Sequence, residues 1–191
     1  MNYPGCWDDA AIAEQHGFKS AGFVDSPVIS GDPFVCMALA ANATSTTKLG
    51  TLINIPSMRS ATATASALTS LNQIAPGRIF FGTGTGYTGR LTAGLPPMAA
   101  SRVRDYMCEI KDVMAGREVM HKHEDHVTAI RMADADQIRN NLDHPVPAYM
   151  AADGPKALKA VGAKADGWIA TMQPCSAMEN APEVFERNFA A

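Results

Sequence analysis

Short runs rich in β-branched and aromatic residues alternate along this chain with alanine-rich stretches whose apolar residues recur at helical spacing. The strand-like runs lie at 20–25, 48–55, 78–82, 147–152 and 167–171. Strands that alternate with helices in this way are typical of βα units, in which parallel strands form one sheet and helices cover it. The alternation therefore predicts an α/β fold built on a parallel sheet.

Helices are predicted between these strands and near the end of the chain, at 8–16, 34–43, 59–75, 99–114, 155–164 and 178–189. The polar segment 118–132 is predicted to be a hairpin-like insertion with no part in the core, and residues 1–191 are predicted to form a single domain. Five such strands form either an open doubly wound sheet or part of an eightfold barrel, which needs about 250 residues. In both, ligands bind at the carboxyl ends of the strands.

Composition and charge exclude several classes of protein. The hydrophobic fraction of 47% and the charged fraction of 18% are those of a chain with a sizeable core, and the net charge of −3 without long runs of one sign argues against nucleic-acid binding. No stretch approaches the roughly 20 apolar residues of a membrane span, and the first residues lack the pattern of a secretory signal. We therefore expect a cytoplasmic protein that does not bind membranes.

The four cysteines, Cys6, Cys36, Cys108 and Cys175, are scattered with no close pair in the sequence, which favours reduced thiols over disulfides or a zinc site. Three histidines follow at 121, 123 and 126, a spacing that binds a metal only if a carboxylate converges on it. They fall in a polar hairpin without an apolar shell, so a solvated turn is favoured and no metal is expected. No Gly-x-Ser-x-Gly elbow supports nucleophilic hydrolysis.

A glycine-rich loop follows the third strand-like run. Residues 84–89 match the Gly-x-Gly-x-x-Gly fingerprint of dinucleotide-binding folds. That fold requires a helix to begin at once, whereas Gly94 and two prolines predict that no helix begins before about Ala99. A nicotinamide dehydrogenase on a Rossmann sheet is therefore disfavoured, and a flexible loop without a ligand stays an alternative.

A second candidate site follows the fourth strand-like run. Gly154 permits close approach of a ligand to the backbone, and Pro155 begins a helix whose free N–H groups are able to hold a phosphate. Alternatively Asp153 caps this helix and places a carboxylate where the phosphate would lie. Both interpretations stay open. Glycine loops at strand ends without an evident acid, base or metal set indicate that a bound organic cofactor supplies the chemistry.

Four motifs in the chain resemble those of the luciferase-like monooxygenase superfamily. They are Thr-Lys-Leu-Gly-Thr at 47–51, Ile-Pro-x-x-Arg at 55–59, Gly-Arg-Ile-Phe-Phe-Gly-Thr-Gly at 77–84, and Gly-Pro-Lys-Ala-Leu at 154–158 followed by Ala-Asp-Gly-Trp. The match runs in order from about Asp8 to Thr171. The Gly-Pro-Lys and Gly-Thr-Gly versions are most similar to the branch that uses a deazaflavin coenzyme instead of FMN, such as the methylenetetrahydromethanopterin reductases.

The resemblance implies a TIM-type (β/α) barrel whose strand ends hold the ring of a deazaflavin coenzyme or FMN. The cofactor-binding residues it implies are Asp25, Ser26, Leu52, Ile53, Thr83, Gly84, Thr85, Gly86, Ala152, Asp153, Gly154, Pro155 and Thr171. In this mapping, Asp25 and Ser26 lie near the ring, and the bond between Leu52 and Ile53 is a cis peptide. Residues 83–86 contact the cofactor through their backbone. Residues 153–155 surround the phosphate-bearing tail of the cofactor.

The function that the resemblance implies is an oxidoreductase that acts on a small molecule, either by hydride transfer or by monooxygenation with reduced FMN. Ser26 stands where relatives often have a histidine, so no catalytic acid or base is assigned. The family's first strand precedes the helix with which this chain begins, and its last strands would follow the end. We therefore expect an incomplete barrel of five or six strands, and a homodimer, because free edge strands favour pairing with another chain. The alternative is a non-catalytic or degenerate flavin-binding member.

Overall fold

The computed structural model describes residues 2–96, 98–123 and 125–170. Its strands are β1 (Ser20–Phe23), β2 (Lys48–Thr51), β3 (Ile79–Thr83), β4 (Val119–His123), β5 (His126–Ile130), β6 (Ala148–Ala151) and β7 (Gly167–Ile169). Its helices are α1 (Cys6–Gln15), α2 (Pro33–Ala43), α3 (Ala61–Ile74), α4 (Tyr87–Thr92), α5 (Ala100–Met114), α6 (Ala135–Asp143) and α7 (Pro155–Lys164). Within these ranges no helix has the length and apolarity needed to cross a bilayer.

Five of the strands form one parallel sheet in the order β1-β2-β3-β6-β7, so the strands of this sheet are arranged in their order along the chain, with only the separate β4–β5 hairpin inserted between β3 and β6. A doubly wound sheet instead reverses direction at a switch point. The unbroken order is that of a barrel wall. It confirms the predicted incomplete TIM-type barrel and removes the open doubly wound sheet, on which the nicotinamide hypothesis rested.

The hydrophobic core fills the space between one face of this sheet and the helices. Its large buried members from the sheet and from the helices include Leu49, Ile79, Phe81, Met150, Met37, Leu68, Val103, Met107 and Ile110. Burying each of these side chains contributes about 1.5–3 kcal/mol to folding. The predicted alanine-rich face of α3 is buried here, and its small side chains let the helix pack close to the sheet.

The opposite face of the sheet combines glycines with aromatic rings. Gly50 pairs with Phe80, and a Cβ atom on Gly50 would lie 2.3 Å from the ring of Phe80. Gly167 pairs with Tyr149, where the corresponding distance would be 2.7 Å. The two rings are neighbours, with centroids 5.7 Å apart. Glycine is required at both positions because any side chain there would collide with a ring.

β1 and β2 both end earlier than predicted, and this places more residues in the loops. β1 ends at Phe23, and β2 ends at Thr51, one residue before a cis peptide bond between Leu52 and Ile53. That bond is the one the family resemblance implied. Beyond it, Asn54 makes only an isolated bridge to Thr83. Residues 24–25 and 52–55 therefore lie at the carboxyl edge of the sheet as loops.

The prediction that no helix begins before about Ala99 is wrong. Gly86 adopts a left-handed conformation with φ 70° and stands at the N-terminus of α4, which begins at Tyr87. The helix has 6 residues and ends before Gly94, which also has a positive φ. The glycine and the prolines that follow thus shorten this helix and do not prevent it.

The insertion at 118–132 is an antiparallel hairpin of β4 and β5, as predicted. The prediction that it has no part in the core is wrong in part, because Val119, Ile130 and Met132 are partly buried against the core. The last strand of the sheet, β7, ends at Ile169 instead of 171. The helix predicted at 178–189 lies outside the described residues.

Helix α6 was not predicted. Asp134 caps it, accepting hydrogen bonds from the backbone N–H groups of Asp136 and Gln137. Its buried residue is Asn141, which accepts a hydrogen bond from Asn72 and donates one to the Met114 carbonyl. Ala135, Ile138 and Leu142 recur at helical spacing, so the sequence did carry the periodic signal of this helix.

Helix α1 is fixed to the loop before β2 by one carboxylate. Oε1 of Glu14 accepts hydrogen bonds from the backbone N–H groups of Thr46 at 2.6 Å and Thr47 at 2.7 Å, and Oε2 accepts one from Ser45 at 3.0 Å. These donors, with that of Thr46 the largest contributor, lower the pKa of Glu14 to about 2. The contact joins residues that are more than thirty positions apart in the chain.

We expect the Glu14 contact to make the protein sensitive to acid. The pKa of Glu14 is lowered on folding, so its contribution to the free energy of unfolding is complete above the unfolded pKa of about 4.3 and is lost as the pH falls towards 2. In Glu14→Gln this contribution is absent at every pH. Urea unfolding measured from pH 6 to pH 2 should therefore show a steeper loss of stability in the wild type. Parallel curves for the two proteins would contradict the assignment.

Candidate functional site

A cavity of about 590 Å³ lies at the carboxyl ends of β1, β2, β3 and β6. Its lining residues are Val24, Asp25, Ser26, Ile29, Leu52, Ile53, Ile55, Thr85, Gly86, Tyr87, Thr88, Gly89, Ala151, Ala152, Asp153, Gly154 and Ala157. A second cavity of about 490 Å³, which includes Lys48, Ile79 and Asp166, lies at the amino ends of the strands. Because ligands of parallel α/β sheets and barrels bind at the carboxyl ends, the first cavity is the candidate site.

Most of the residues implied by the resemblance meet in this cavity. Those that line it are Asp25, Ser26, Leu52, Ile53, Thr85, Gly86, Ala152, Asp153 and Gly154. Thr83 does not line the cavity. It is fully buried, and its hydroxyl donates a hydrogen bond to the backbone carbonyl oxygen of Asn54 at 3.1 Å. Gly84 and Pro155 also lie outside the lining. Gly84 packs against Ile53, and Pro155 is the first residue of α7. Thr171 lies outside the described residues.

Asp25 is the buried carboxyl group of the site, with 4% of its surface exposed. Its Oδ2 accepts hydrogen bonds from the Asn54 side-chain amide at 2.9 Å and from the Ile55 backbone N–H at 3.0 Å. Burial raises the pKa of Asp25, against the opposing effects of the Ile55 N–H and the Arg59 charge. Asn54 was missed in the sequence because it lies in what reads as an ordinary buried strand.

The glycines of the loop after β3 serve packing. With φ 70° at Gly86, a Cβ atom would lie 2.6 Å from Ile55. At Gly89 a Cβ atom would lie 2.3 Å from Ile55 and 2.9 Å from the Asp25 carbonyl oxygen. The Gly-x-Gly-x-x-Gly spacing is therefore explained by the close approach of α4 to the loops after β1 and β2, and not by a dinucleotide phosphate.

The loop after β6 leaves the beginning of α7 open. Gly154 is the N-terminal capping residue, and no side chain caps the helix, so the alternative in which Asp153 is the cap is wrong. A Cβ atom on Gly154 would meet nothing within 4 Å. The loop itself is held firmly, because the Trp168 indole donates to the Ala152 carbonyl at 2.7 Å. The free N–H groups of the first helical turn therefore lie beside the cavity and suit an anion.

The rest of the lining combines apolar side chains with the hydroxyl groups of Ser26, Thr85 and Thr88, and among the described residues it carries no cationic side chain. Leu52 is 41% exposed and Tyr87 is 68% exposed, and with Ile29 they present apolar surface at the cavity. The ionisable groups of the lining are Asp25, Asp153 and Tyr87. An apolar cleft with a few polar groups at its edge suits a flat, largely uncharged ring system.

The histidines and cysteines of the described part of the chain have the following contacts. His121 pairs with Glu109, Nδ1 to Oε1, at 2.5 Å, and within the described ranges no three His, Cys, Asp or Glu residues are grouped as metal ligands. Cys6, Cys36 and Cys108 are free thiols, whereas Cys175 lies outside the described residues. Burial, with a smaller effect of the neighbouring Cys6 thiol, raises the pKa of Cys36 to about 11.

The family model for luciferase-like monooxygenases matches residues 7–191. The chain belongs to this family. A 5,10-methylenetetrahydromethanopterin reductase of Methanolobus tindarius is 31% identical to it over 160 residues, covering 83% of this chain and 47% of the relative. An F420-dependent hydroxymycolic acid dehydrogenase of Mycobacterium tuberculosis is 30% identical over 175 residues, covering 84% and 47%.

A solved structure gives the same comparison in three dimensions. The coenzyme F420 dependent tetrahydromethanopterin reductase from Methanopyrus kandleri superposes with a TM-score of 0.77 at 26% identity, covering 99% of this chain and 58% of that one. Family and barrel fold are therefore those that the motifs predicted. The chain spans about half the length of the curated relatives it matches.

We expect Gly89→Ala to destabilise the site because its new methyl group would collide with Ile55 and the Asp25 backbone. Overpacking of this kind costs about 1–3 kcal/mol. The matched control is Gly162→Ala, which lies in α7 with nothing within 4 Å and should be neutral or stabilising by up to about 1 kcal/mol. Thermal unfolding of the two variants measures the difference. Equal stabilities would contradict the close packing of α4.

Proposed function

We propose that this cavity binds the ring of a deazaflavin coenzyme and that the protein is an oxidoreductase that transfers hydride between the coenzyme and a small molecule. The observation that carries the proposal is the convergence of Asp25, Ser26, Leu52, Ile53 and Gly154 on one cavity at the strand ends. The F420 dependence in the names of the relatives supports a deazaflavin over FMN. Monooxygenation with reduced FMN is the alternative chemistry.

The residues present fit such a cofactor. Leu52, Ile53 and Tyr87 offer apolar surface to a flat ring, and the open first turn of α7 at Gly154 offers backbone donors to a phosphate in its tail. When bound, the deazaflavin supplies a ring carbon that accepts or gives hydride. The protein orients the substrate over it and excludes water. Asp153 is exposed, so its carboxylate stays hydrated beside the anionic tail.

The placement of the tail is tested by adding one charge at the start of α7. In Gly154→Asp the new side chain has space, favours capping of the helix, and repels a phosphate at that point. In the control Gly154→Asn the shape and the capping are similar but the charge is absent. We expect both variants to be at least as stable as the wild type, and only Gly154→Asp to bind the deazaflavin at least about tenfold more weakly, a change of about 1.4 kcal/mol.

Binding is measured by the change in visible absorbance when oxidised deazaflavin or FMN is added to the full chain. Failure of the wild type to bind either compound would defeat the proposal. Equal loss of affinity in the Asp and Asn variants would move the tail away from α7. Tight binding without reduction by any donor would favour the alternative of a non-catalytic or degenerate flavin-binding protein.

We also propose that the chain forms a homodimer and acts in the cytoplasm. The dimer is supported by the two ends of the sheet, since β1 and β7 each pair with a single strand among the described residues. The free thiols at Cys6, Cys36 and Cys108 support a reducing compartment. Sedimentation equilibrium should give about twice the 20.2 kDa of one chain. A monomer mass across micromolar concentrations would refute the dimer.

A further inference from the structure

One buried side chain near the start of the chain contacts both ends of the segment 24–31, which connects β1 to α2. Asn2 is 5% exposed. Its side-chain nitrogen donates hydrogen bonds to the backbone carbonyl oxygens of Val24 at 2.6 Å and Gly31 at 2.9 Å. Its side-chain oxygen accepts one from the Val24 N–H at 3.1 Å, and its backbone carbonyl accepts one from the Gly31 N–H at 2.9 Å. Both backbone polar groups of Val24 and of Gly31 are therefore paired with Asn2.

These four hydrogen bonds close the segment 24–31 into a compact loop. Because one nitrogen atom donates to the carbonyl oxygens of both Val24 and Gly31, these two oxygens are held close together. Within the segment, the N–H groups of Ile29 and Ser30 both donate to the Ser26 carbonyl oxygen at 2.9 Å. A short segment whose ends meet and whose interior forms its own turn is an Ω-loop, a type that frequently carries functional residues.

The closed loop forms part of the wall of the candidate cavity. Its lining residues are Val24, Asp25, Ser26 and Ile29. The middle of the loop is also held from the side of β2, because Asp25 accepts hydrogen bonds from Asn54 and Ile55. Asn2 itself lies outside the described lining of this cavity. Any effect of Asn2 on a ligand there must therefore pass through the loop.

Asn2 acts where β1 ends and the loop begins. The backbone pairing towards β2 includes the Leu52 N–H, which donates to the Phe23 carbonyl oxygen at 2.8 Å. In the described part of the chain, β1 pairs with no second strand. Asn2 lies beside β1, where it lines a small cavity together with residues 20–23. Its side-chain amide pairs with the N–H and the carbonyl of Val24, the next residue, as the backbone of a neighbouring strand would.

We propose that Asn2 is a positioning residue of the cofactor site, which closes the loop 24–31 and so holds Asp25, Ser26 and Ile29 at the cavity. This inference rests on the proposed function. Without the side-chain amide, water must replace the lost hydrogen bonds, and the loop is free to adopt other conformations. The coenzyme then binds only the fraction of molecules in which the loop is closed, or orders the loop as it binds, and in both cases its affinity falls.

Two variants separate the hydrogen bonds of Asn2 from its packing. Asn2→Ala removes the three hydrogen bonds of the side chain. Asn2→Asp keeps the shape and the acceptor for the Val24 N–H, but it has no donor for the carbonyl oxygens of Val24 and Gly31. The matched control is Asn42→Ala, which removes an exposed asparagine from α2. All four proteins are compared as the full chain.

The first measurement is amide hydrogen exchange without cofactor, followed by NMR. In Asn2→Ala the N–H groups of Val24 and Gly31 should exchange at least about tenfold faster than in the wild type. In Asn2→Asp the Gly31 N–H should show the same change. The Leu49 N–H, which donates to the Arg78 carbonyl oxygen inside the sheet, should stay within about twofold of the wild type in every variant. Asn42→Ala should match the wild type throughout.

The second measurement is the dissociation constant of oxidised deazaflavin, obtained from the change in visible absorbance. Asn2→Ala and Asn2→Asp should both bind the coenzyme at least about tenfold more weakly than the wild type, and Asn42→Ala should stay within about threefold. A residue that only supports the fold would instead accelerate exchange at Leu49 together with the loop. The combination of weaker binding and an unchanged Leu49 is therefore the result that identifies a positioning residue.

The outcomes keep the two proposals apart. If the wild type binds no deazaflavin, the proposed function fails, and the exchange rates of Val24 and Gly31 still decide whether Asn2 closes the loop. Wild-type exchange at both positions in Asn2→Ala would overturn the closing role. Faster exchange with unchanged coenzyme affinity would overturn the positioning role, because the site would then not depend on the closed loop. Equal acceleration at Leu49 would also overturn it, since Asn2 would then support the whole sheet.

Discussion

The hydrogen bonds between Asp25 and the segment after β2 connect the loops on which the site depends. β1 and β2 are short, and each ends before the residues that line the cavity. Beyond the last backbone hydrogen bonds between these two strands, the Asp25 carboxylate connects the two segments. It accepts hydrogen bonds from the Asn54 side chain and the Ile55 backbone N–H. The same Ile55 packs against Gly86 and Gly89. One buried carboxyl thus connects three consecutive loops, and the two donors it receives offset the burial of its charge only in part, since its pKa stays raised.

The fold was predictable because each βα unit carries its own local signals. Alternating runs place the five strands, Asp32 and Pro33 begin α2, and the alanine face of α3 is visible as a helical period. The order of strands was not settled by these signals, since an open sheet and a barrel share the same units. The strand order became known only from the pairing of strands in the structure, which depends on contacts between residues distant in the sequence.

The site was predictable in position and less so in detail. Strand ends located Asp25 and Gly154, but Thr83 reads as a loop residue and is a buried structural hydroxyl. Asn54 and Ile55 look like strand residues, and their contacts to Asp25 appear only when β1 and β2 lie side by side. α4 and α6 were both missed. A left-handed Gly86 starts the first inside an apparent loop, whereas the second carries its own signals, the capping Asp134 and the apolar period of Ile138 and Leu142, directly after the polar hairpin.

The glycines beneath the aromatic rings have a consequence for how this chain varies. Gly50 and Phe80 share one volume on adjacent strands, as do Gly167 and Tyr149. Replacing a ring with a smaller side chain leaves a void, which is filled only if a larger residue replaces the paired glycine at the same time. Replacing the glycine with a larger residue in turn requires loss of the ring. The two members of each pair are therefore sterically coupled, and a change of size at one is accommodated only by the opposite change at the other.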